Sequence, residues 1–218
     1  MRARGHDVRP LGLKDELKPI RDAVEGWTPH VVFNLLEEFH GLATYDQNVV
    51  SYLELLRLPY TGCNPRGLML ARGKALSKKL VSYHRVPTPA FVVFPMGRKI
   101  KRPGRLTFPL IVKSAIEDAS LGIARASLVD NDEKLIDRVT FIHEQIGTDA
   151  IVEQYIDGRE IYVGVIGNER LRVLPVWDLN FGYMTEGGST IATARLKHDL
   201  HYQQRHNIKE APAKGLTP

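Results

Sequence analysis

The chain holds a single cysteine, Cys63, in 218 residues. One thiol excludes an internal disulfide and fits a reducing compartment, the cytoplasm. With no second cysteine beside it, Cys63 reads as a small hydrophobe. No stretch approaches the ~18 consecutive apolar residues a membrane span needs. The first ten residues, MRARGHDVRP, carry basic groups with no apolar core behind them, so they do not read as a secretory signal. There is no block of about five or more like charges and no interleaving of aromatic and basic residues. Thus the net charge of +5 and the pI of 9.3 favour anionic partners such as nucleotide phosphates, while nucleic acid is not an expected partner. The 8 histidines form no HExxH pattern, and His198, His201 and His206 read as solvated rather than as a metal site. Internal repeats and low-complexity runs are absent too.

What is present is ordinary for a globular chain: 43% hydrophobic and 25% charged residues, with length for one or two domains. Residues 108–122, FPLIVKSAIEDASLG, organise the rest. The apolar run Leu110-Ile111-Val112, two of its residues β-branched, ends in Lys113 and opens into a small, acidic turn. A lysine at a buried strand's end, beside open loop amides, suits a polyphosphate: a point charge plus directed donors. The plain alternative is a strand-end lysine in water. Residues 151–167 repeat the theme, with a β run, a turn at Asp157-Gly158, then apolar alternation through Ile161, Val163 and Val165.

In chain order, residues 1–7 read as a helix end stopped by Gly5, and 8–13 as a short strand. This opening implies an earlier strand and helix. Residues 14–27 have helical spacing, with Leu17, Ile20 and Val24 on one face. Residues 30–35, HVVFNL, read as a buried strand of the parallel-sheet kind, with Glu37 and Glu38 just past its carboxyl end, where open α/β sheets place ligands. The plainer reading of those two acids is a solvated loop. A helix over 46–57 turns Val49, Val50, Leu53 and Leu56 inward, and Asn64-Pro65 starts another. Arg72-Gly73 interrupts that helix before Lys74. Strands follow at 90–94 and 123–129, around a basic loop at 95–105. Asp130 and Glu133 form a capping-box pattern for a helix burying Leu135, Val139 and Ile142. Strands are expected at 151–156, 160–166 and 171–179. A glycine-rich loop then covers 182–189, residues 190–197 alternate weakly, and the tail from His198 is polar.

The order of these parts resembles the ATP-grasp enzymes, in particular the D-alanine–D-alanine ligase-like group. The parts are a helix with Lys74, a strand ending in Lys113, a loop through Ser120-Leu121-Gly122, and Val152-Glu153-Gln154-Tyr155-Ile156 followed by Gly158-Arg159-Glu160. Leu58-Pro59-Tyr60-Thr61-Gly62 before the Lys74 helix is also typical, and the similarity runs over about residues 31–197. The resemblance implies ATP and Mg2+ as cofactors. Lys74 and Lys113 would reach the α- and β-phosphates, and the loop 114–122, with Ser120, would close as a lid. Glu153, Gln154, Tyr155 and Ile156 would face the adenine, and Glu160 the ribose hydroxyls. Arg195 or Lys197 would stand near the γ-phosphate, and Glu38 would bind the first substrate's amine. Apart from the resemblance, Glu160 could be a surface acid paired with Arg159 or Arg170, and Tyr155 a core aromatic. The implied chemistry is attack of a carboxylate on the γ-phosphate, then displacement of phosphate by an amine, with two magnesium ions neutralising the transferred group.

Two departures stand out. Ala119 occupies the place of a serine usual in the group, which leaves the amino-acid substrate open. The Asp and Glu-x-Asn that hold magnesium in the family are expected beyond Pro218, and Asp199 and Glu210 do not replace them. The expected fold is ATP-grasp, both α/β and α+β. An amino-terminal α/β substrate domain at 1–68 lacks its first strand. A central antiparallel-sheet nucleotide-clamping domain spans 69–167, and an incomplete third domain spans 168–218. The expected function is an ATP-dependent carboxylate–amine ligase acting on a small-molecule amino acid or peptide, truncated at both ends and inactive alone. A non-catalytic nucleotide-binding or regulatory module and a peptide-modifying ATP-grasp ligase are the alternatives. No membrane partner is expected; a homodimer is admitted.

Overall fold

A computed structural model describes residues 1–118, 120–182, 191–193, 196–197 and 199–216. Contacts divide the chain into two units, residues 1–86 and 87–218. That division falls later than the sequence boundary near residue 68.

The first unit is built from helices α1 (Lys18–Trp27), α2 (Asp46–Leu55), α3 (Pro65–Arg72) and α4 (Lys74–Tyr83). Pro19 suits the first turn of α1 and would break its interior, so α1 starts at Lys18 rather than at Lys14. Ile20, Val49, Leu53 and Leu58 form its core, with Leu17 and Val24 packed against them. Asn64 caps α3 by accepting from Gly67 N–H at 2.8 Å, as its sequence position predicts. Arg72 is anchored on the buried Asp46 carboxylate at 2.5 Å.

Two expectations for this unit fail. Residues 8–13 form no strand; Pro10 removes a ladder donor and Gly12 weakens the run. The turn before them, Arg2–Arg4, is a single 3-10 turn closed by Gly5 at φ 83°. Residues 30–35 are not a strand buried on both faces. They make one parallel bridge, Val32 to Tyr60, with Val31, Phe33 and Leu35 exposed at 49%, 53% and 79%. Only the alternate positions Val32 and Leu36 reach the core, because among the described residues no element covers the other face.

The second unit contains a four-stranded antiparallel sheet in the order β1-β4-β2-β3. The strands are β1 (Phe91–Phe94), β2 (Leu110–Ser114), β3 (Leu128–Val129) and β4 (Ala150–Gln154). Leu110, Val112, Ala150 and Val152 share one face and pack on α5 (Asp132–Phe141) through Leu135 and Val139. The helix runs on as a π turn, Ile142–Ile146, that buries Ile142 and ends at left-handed Gly147. The strand expected over 123–129 shrinks to β3, because Arg125–Ser127 turns as a 3-10 segment and Ser127 Oγ accepts from Ala124 N–H. The cap of α5 is Asn131, not Asp130. Asn131 is extended and three residues before Lys134, whose N–H it accepts at 2.9 Å, whereas Asp130 pairs with the Lys134 ammonium at 2.8 Å.

Residues 160–166 divide into β5 (Glu160–Tyr162) and β6 (Val165–Ile166), because the two pieces pair with different strands. β6 pairs with β7 (Arg172–Val173), and β5 with β8 (Trp177–Asn180). The polar tail is not structureless. Asp199 caps α6 (Leu200–His206), and β9 (Lys209–Pro212) pairs with β8. Ile208 contributes to a small core with Leu179, Phe181, Ala192 and Leu196, which is what holds this segment in place. The glycine-rich loop beyond Gly182 lies outside the described residues. Among the described residues no helix is long and apolar enough to cross a membrane.

Candidate functional site

The alternation that buries one face of the four-stranded sheet sends Ile111 and Lys113 to the other. Register places Ile111 opposite Glu153 and Lys113 opposite Ile151, so Lys113 and Glu153 are diagonal neighbours on that face. Lys113 Nζ donates to Glu153 Oε2 at 3.2 Å. Glu153 is buried, and the lysine is its compensating charge.

This face opens onto a cleft of about 330 Å³ within the second unit. Apolar walls come from Ile111, Ile123, Ile156, Phe181 and Ile191. Polar groups come from Lys113, Glu153, Gln154, Glu160 and Lys197. Such a mixture, apolar walls with a few converging charges, is what a purine nucleotide requires. A depression of about 390 Å³ on the outer side of α5 is lined by Asp137, Thr140, Phe141, Glu144 and Gln145 and presents no cation.

The loop after β2 is tied at several points. Ser114 Oγ bonds with Thr148 Oγ1 at 2.8 Å and accepts from Glu117 N–H at 3.0 Å. Ser120, at φ 64°, is buried and donates to the Ala192 carbonyl at 2.8 Å. Gly122 sits at φ 70°, a conformation that favours glycine, and a Cβ there would stand 3.1 Å from Ile146 Cδ1, which would have to shift slightly. Arg138 donates to the Gly122 carbonyl and stacks 4.2 Å from the Phe141 ring centre.

On the cleft's other side, β5 and the segment at 196–197 bring Glu160 and Lys197 together, Nζ to Oε1 at 3.7 Å. Tyr162 donates to the same Oε1 at 2.8 Å. Burial, and then the Glu160 carboxylate, push the Tyr162 hydroxyl above its ordinary value. Arg159, which also lines the cleft, pairs with Asp178 at 3.4 Å and donates to the Lys214 carbonyl at 2.7 Å.

Of the residues expected from sequence, Lys113, Ser120, Glu153, Gln154, Tyr155, Ile156, Glu160 and Lys197 all line this one cleft. Part of the backbone at 154–155 is already paired: Gln154 N–H bonds to the Ala90 carbonyl at 2.9 Å and Tyr155 N–H to that of Pro109 at 3.1 Å. Glu38, exposed, and Lys74, the first residue of α4, belong to the first unit. Arg195 and Ala119 lie outside the described residues. Sequence reasoning missed Tyr162 and Ile111, although each stands two residues from a chosen one and so on the same strand face. It missed Phe181 and Arg138 as well, and no local signal marks those. Among the described residues no group of three His, Cys, Asp or Glu gathers as a metal site. They do not fit a bound magnesium ion by themselves.

A sequence model of the family described as "D-ala D-ala ligase C-terminus" matches residues 80–214. Protein y4sG of Sinorhizobium fredii, described as uncharacterized, is 39% identical over 155 residues, covering 71% of this chain and 44% of that protein. The D-alanine–D-alanine ligase of Syntrophotalea carbinolica is 36% identical over 140 residues, covering 63% of this chain and 43% of that enzyme. The chain therefore spans less than half the length of these two relatives. In structure it resembles the D-alanine–D-alanine ligase of Bacillus anthracis solved with ATP, at a TM-score of 0.59 and 19% identity, over 90% of this chain and 58% of that one. At that identity the likeness is one of fold.

Proposed function

The chain belongs to the family of the D-Ala–D-Ala ligase carboxyl-terminal domain, and from that footing we propose that it is the nucleotide-holding portion of an ATP-dependent carboxylate–amine ligase. The observation that carries this reading is the convergence of Lys113, Glu160 and Lys197 on one apolar-walled cleft. Lys113 sets a positive charge against the inner phosphates, held in place by Glu153. Glu160 accepts from the ribose hydroxyls, and Ile156 and Tyr155 flank the base. Lys197, Ser120 and, by resemblance, Arg195 serve the γ-phosphate end. Lys74 serves the inner phosphates, and Glu38 the first substrate's amine. The substrate carboxylate would attack the γ-phosphorus as ADP leaves, and an amine would then displace phosphate from the acyl phosphate. The described residues supply no ligand set for magnesium.

The further parts of the reading are proposals of the same kind. They are an amino-acid or peptide substrate, a cytoplasmic place of work, a homodimer, and a division at 1–68, 69–167 and 168–218. The test is a titration of ATP against the wild-type chain and Lys113→Ala. Removing a charge contact worth about 1.5–3 kcal/mol should weaken ATP at least about tenfold. Equal affinity in the two chains rejects the assignment of the cleft. A nucleotide-binding module without catalysis is the alternative reading. ADP release by the purified chain with an amino-acid panel would reject it.

A further inference from the structure

Glu160 is placed by more than its own backbone. It and Tyr162 occupy alternate positions of β5 and so share a face, and pairing of β5 with β8 fixes them opposite Leu179 and Trp177. Tyr162 Oη donates to Glu160 Oε1 at 2.8 Å. The Lys197 ammonium stands 3.7 Å from that same oxygen, beyond hydrogen-bond range, so its attraction is one of charge. Both contacts fall on Oε1; among the described residues none reaches Oε2. A carboxylate on a flexible side chain is thereby held by one oxygen and offers the other. Glu160 lines the cleft, whereas Tyr162 does not. Tyr162 thus acts on a ligand only through the acid.

We propose that Tyr162 is a positioning residue for nucleotide selection, its hydroxyl holding Glu160 so that Oε2 meets the ribose diol. The inference rests on the reading of Glu160 as the ribose acceptor. An unanchored glutamate would lose rotamer freedom on each binding event. An anchored one has lost it before the nucleotide arrives. The benefit therefore appears only with ligands that carry the hydroxyls.

The test is calorimetric titration of the 218-residue chain at neutral pH with ATP and with 2′,3′-dideoxy-ATP. The variants are Tyr162→Phe, Glu160→Gln and the double variant. Tyr162→Phe keeps the ring beside Trp177 and deletes only the donor. Its ATP affinity should fall about three- to tenfold while dideoxy-ATP binds as in wild type, the loss expected of one charge-assisted bond acting indirectly. Added to Glu160→Gln, Tyr162→Phe should change nothing further. Equal weakening of both nucleotides, or no weakening, overturns the role of Tyr162. A wild-type chain without preference for ATP, or a preference that survives Glu160→Gln, overturns the ribose reading beneath it. Thermal unfolding checks that each variant is folded, and Tyr162→Met replaces the phenylalanine variant if that one is not.

Discussion

Two apolar runs of similar composition, HVVFNL at residues 30–35 and PLIVKS at 109–114, meet different fates. The second becomes β2, paired on both edges by β3 and β4, with Leu110 and Val112 at 0% exposure. The first finds one bridge, and Leu35 is left 79% exposed. β-propensity is therefore not what buries a strand. Neighbours on both edges and a helix on one face do so, and only β2 has them. The site follows from the same contrast. Because one face of β2 is sealed by α5, the other can present Lys113 beside a buried glutamate without water flooding the sheet.

The sharpest way to break this comparison is truncation at matched leucines. Leu110→Ala should cost about 2–5 kcal/mol in urea unfolding, whereas Leu35→Ala should stay within about 0.5 kcal/mol. Comparable losses would show that the 30–35 run is covered in solution. Next in size, Glu153→Gln removes the charge that faces Lys113. Losing one partner of a partly buried pair should lower stability by about 1–3 kcal/mol and alter ATP affinity, read by unfolding and by titration. Smaller again, Asn64→Ala and Asn131→Ala each delete a cap, one in each unit, and should each cost about 1 kcal/mol. Unequal losses would show that one unit unfolds before the other.

The pH response separates the units in a different way. Burial, and then its bond to Glu54, push Tyr60 in the first unit up to about 12 from 10.0. In the folded chain the proton is held longer, so this contribution is complete below pH 10 and is lost as pH rises toward 12. Thermal unfolding should thus show the first unit weakening on going from neutral pH to pH 11, and Tyr60→Phe should remove that slope. The smallest effect belongs to Lys134→Ala, which breaks an exposed pair with Asp130 and should change stability by no more than about 0.5 kcal/mol.

Much of the candidate site was readable because strand periodicity is local. Lys113 and Glu153 each follow a buried apolar run, and their side of the sheet follows from counting by two along the strand. The caps were less readable. Asn131 and Asp130 are adjacent and both suitable, and only the register of α5 against the sheet selects Asn131. The break between β5 and β6 was invisible, since residues 160–166 alternate smoothly and separate only because β8 and β7 compete for them. The strand at 209–212 was hidden by its composition, because Lys209 and Glu210 lie on an edge that solvent reaches.

By itself the sequence determined helices α1 to α5 to within a few residues, the sheet face on which Lys113 and Glu153 sit, and the order of parts that marks the family. All of these depend on neighbours within a few residues. Tertiary structure alone decided which apolar run became a true strand, and it alone brought Lys197 to the Glu160 oxygen that Tyr162, two residues along β5, also contacts. Those outcomes depend on distant segments closing onto one another, and the free energy of such closure lies in partners that no local pattern contains.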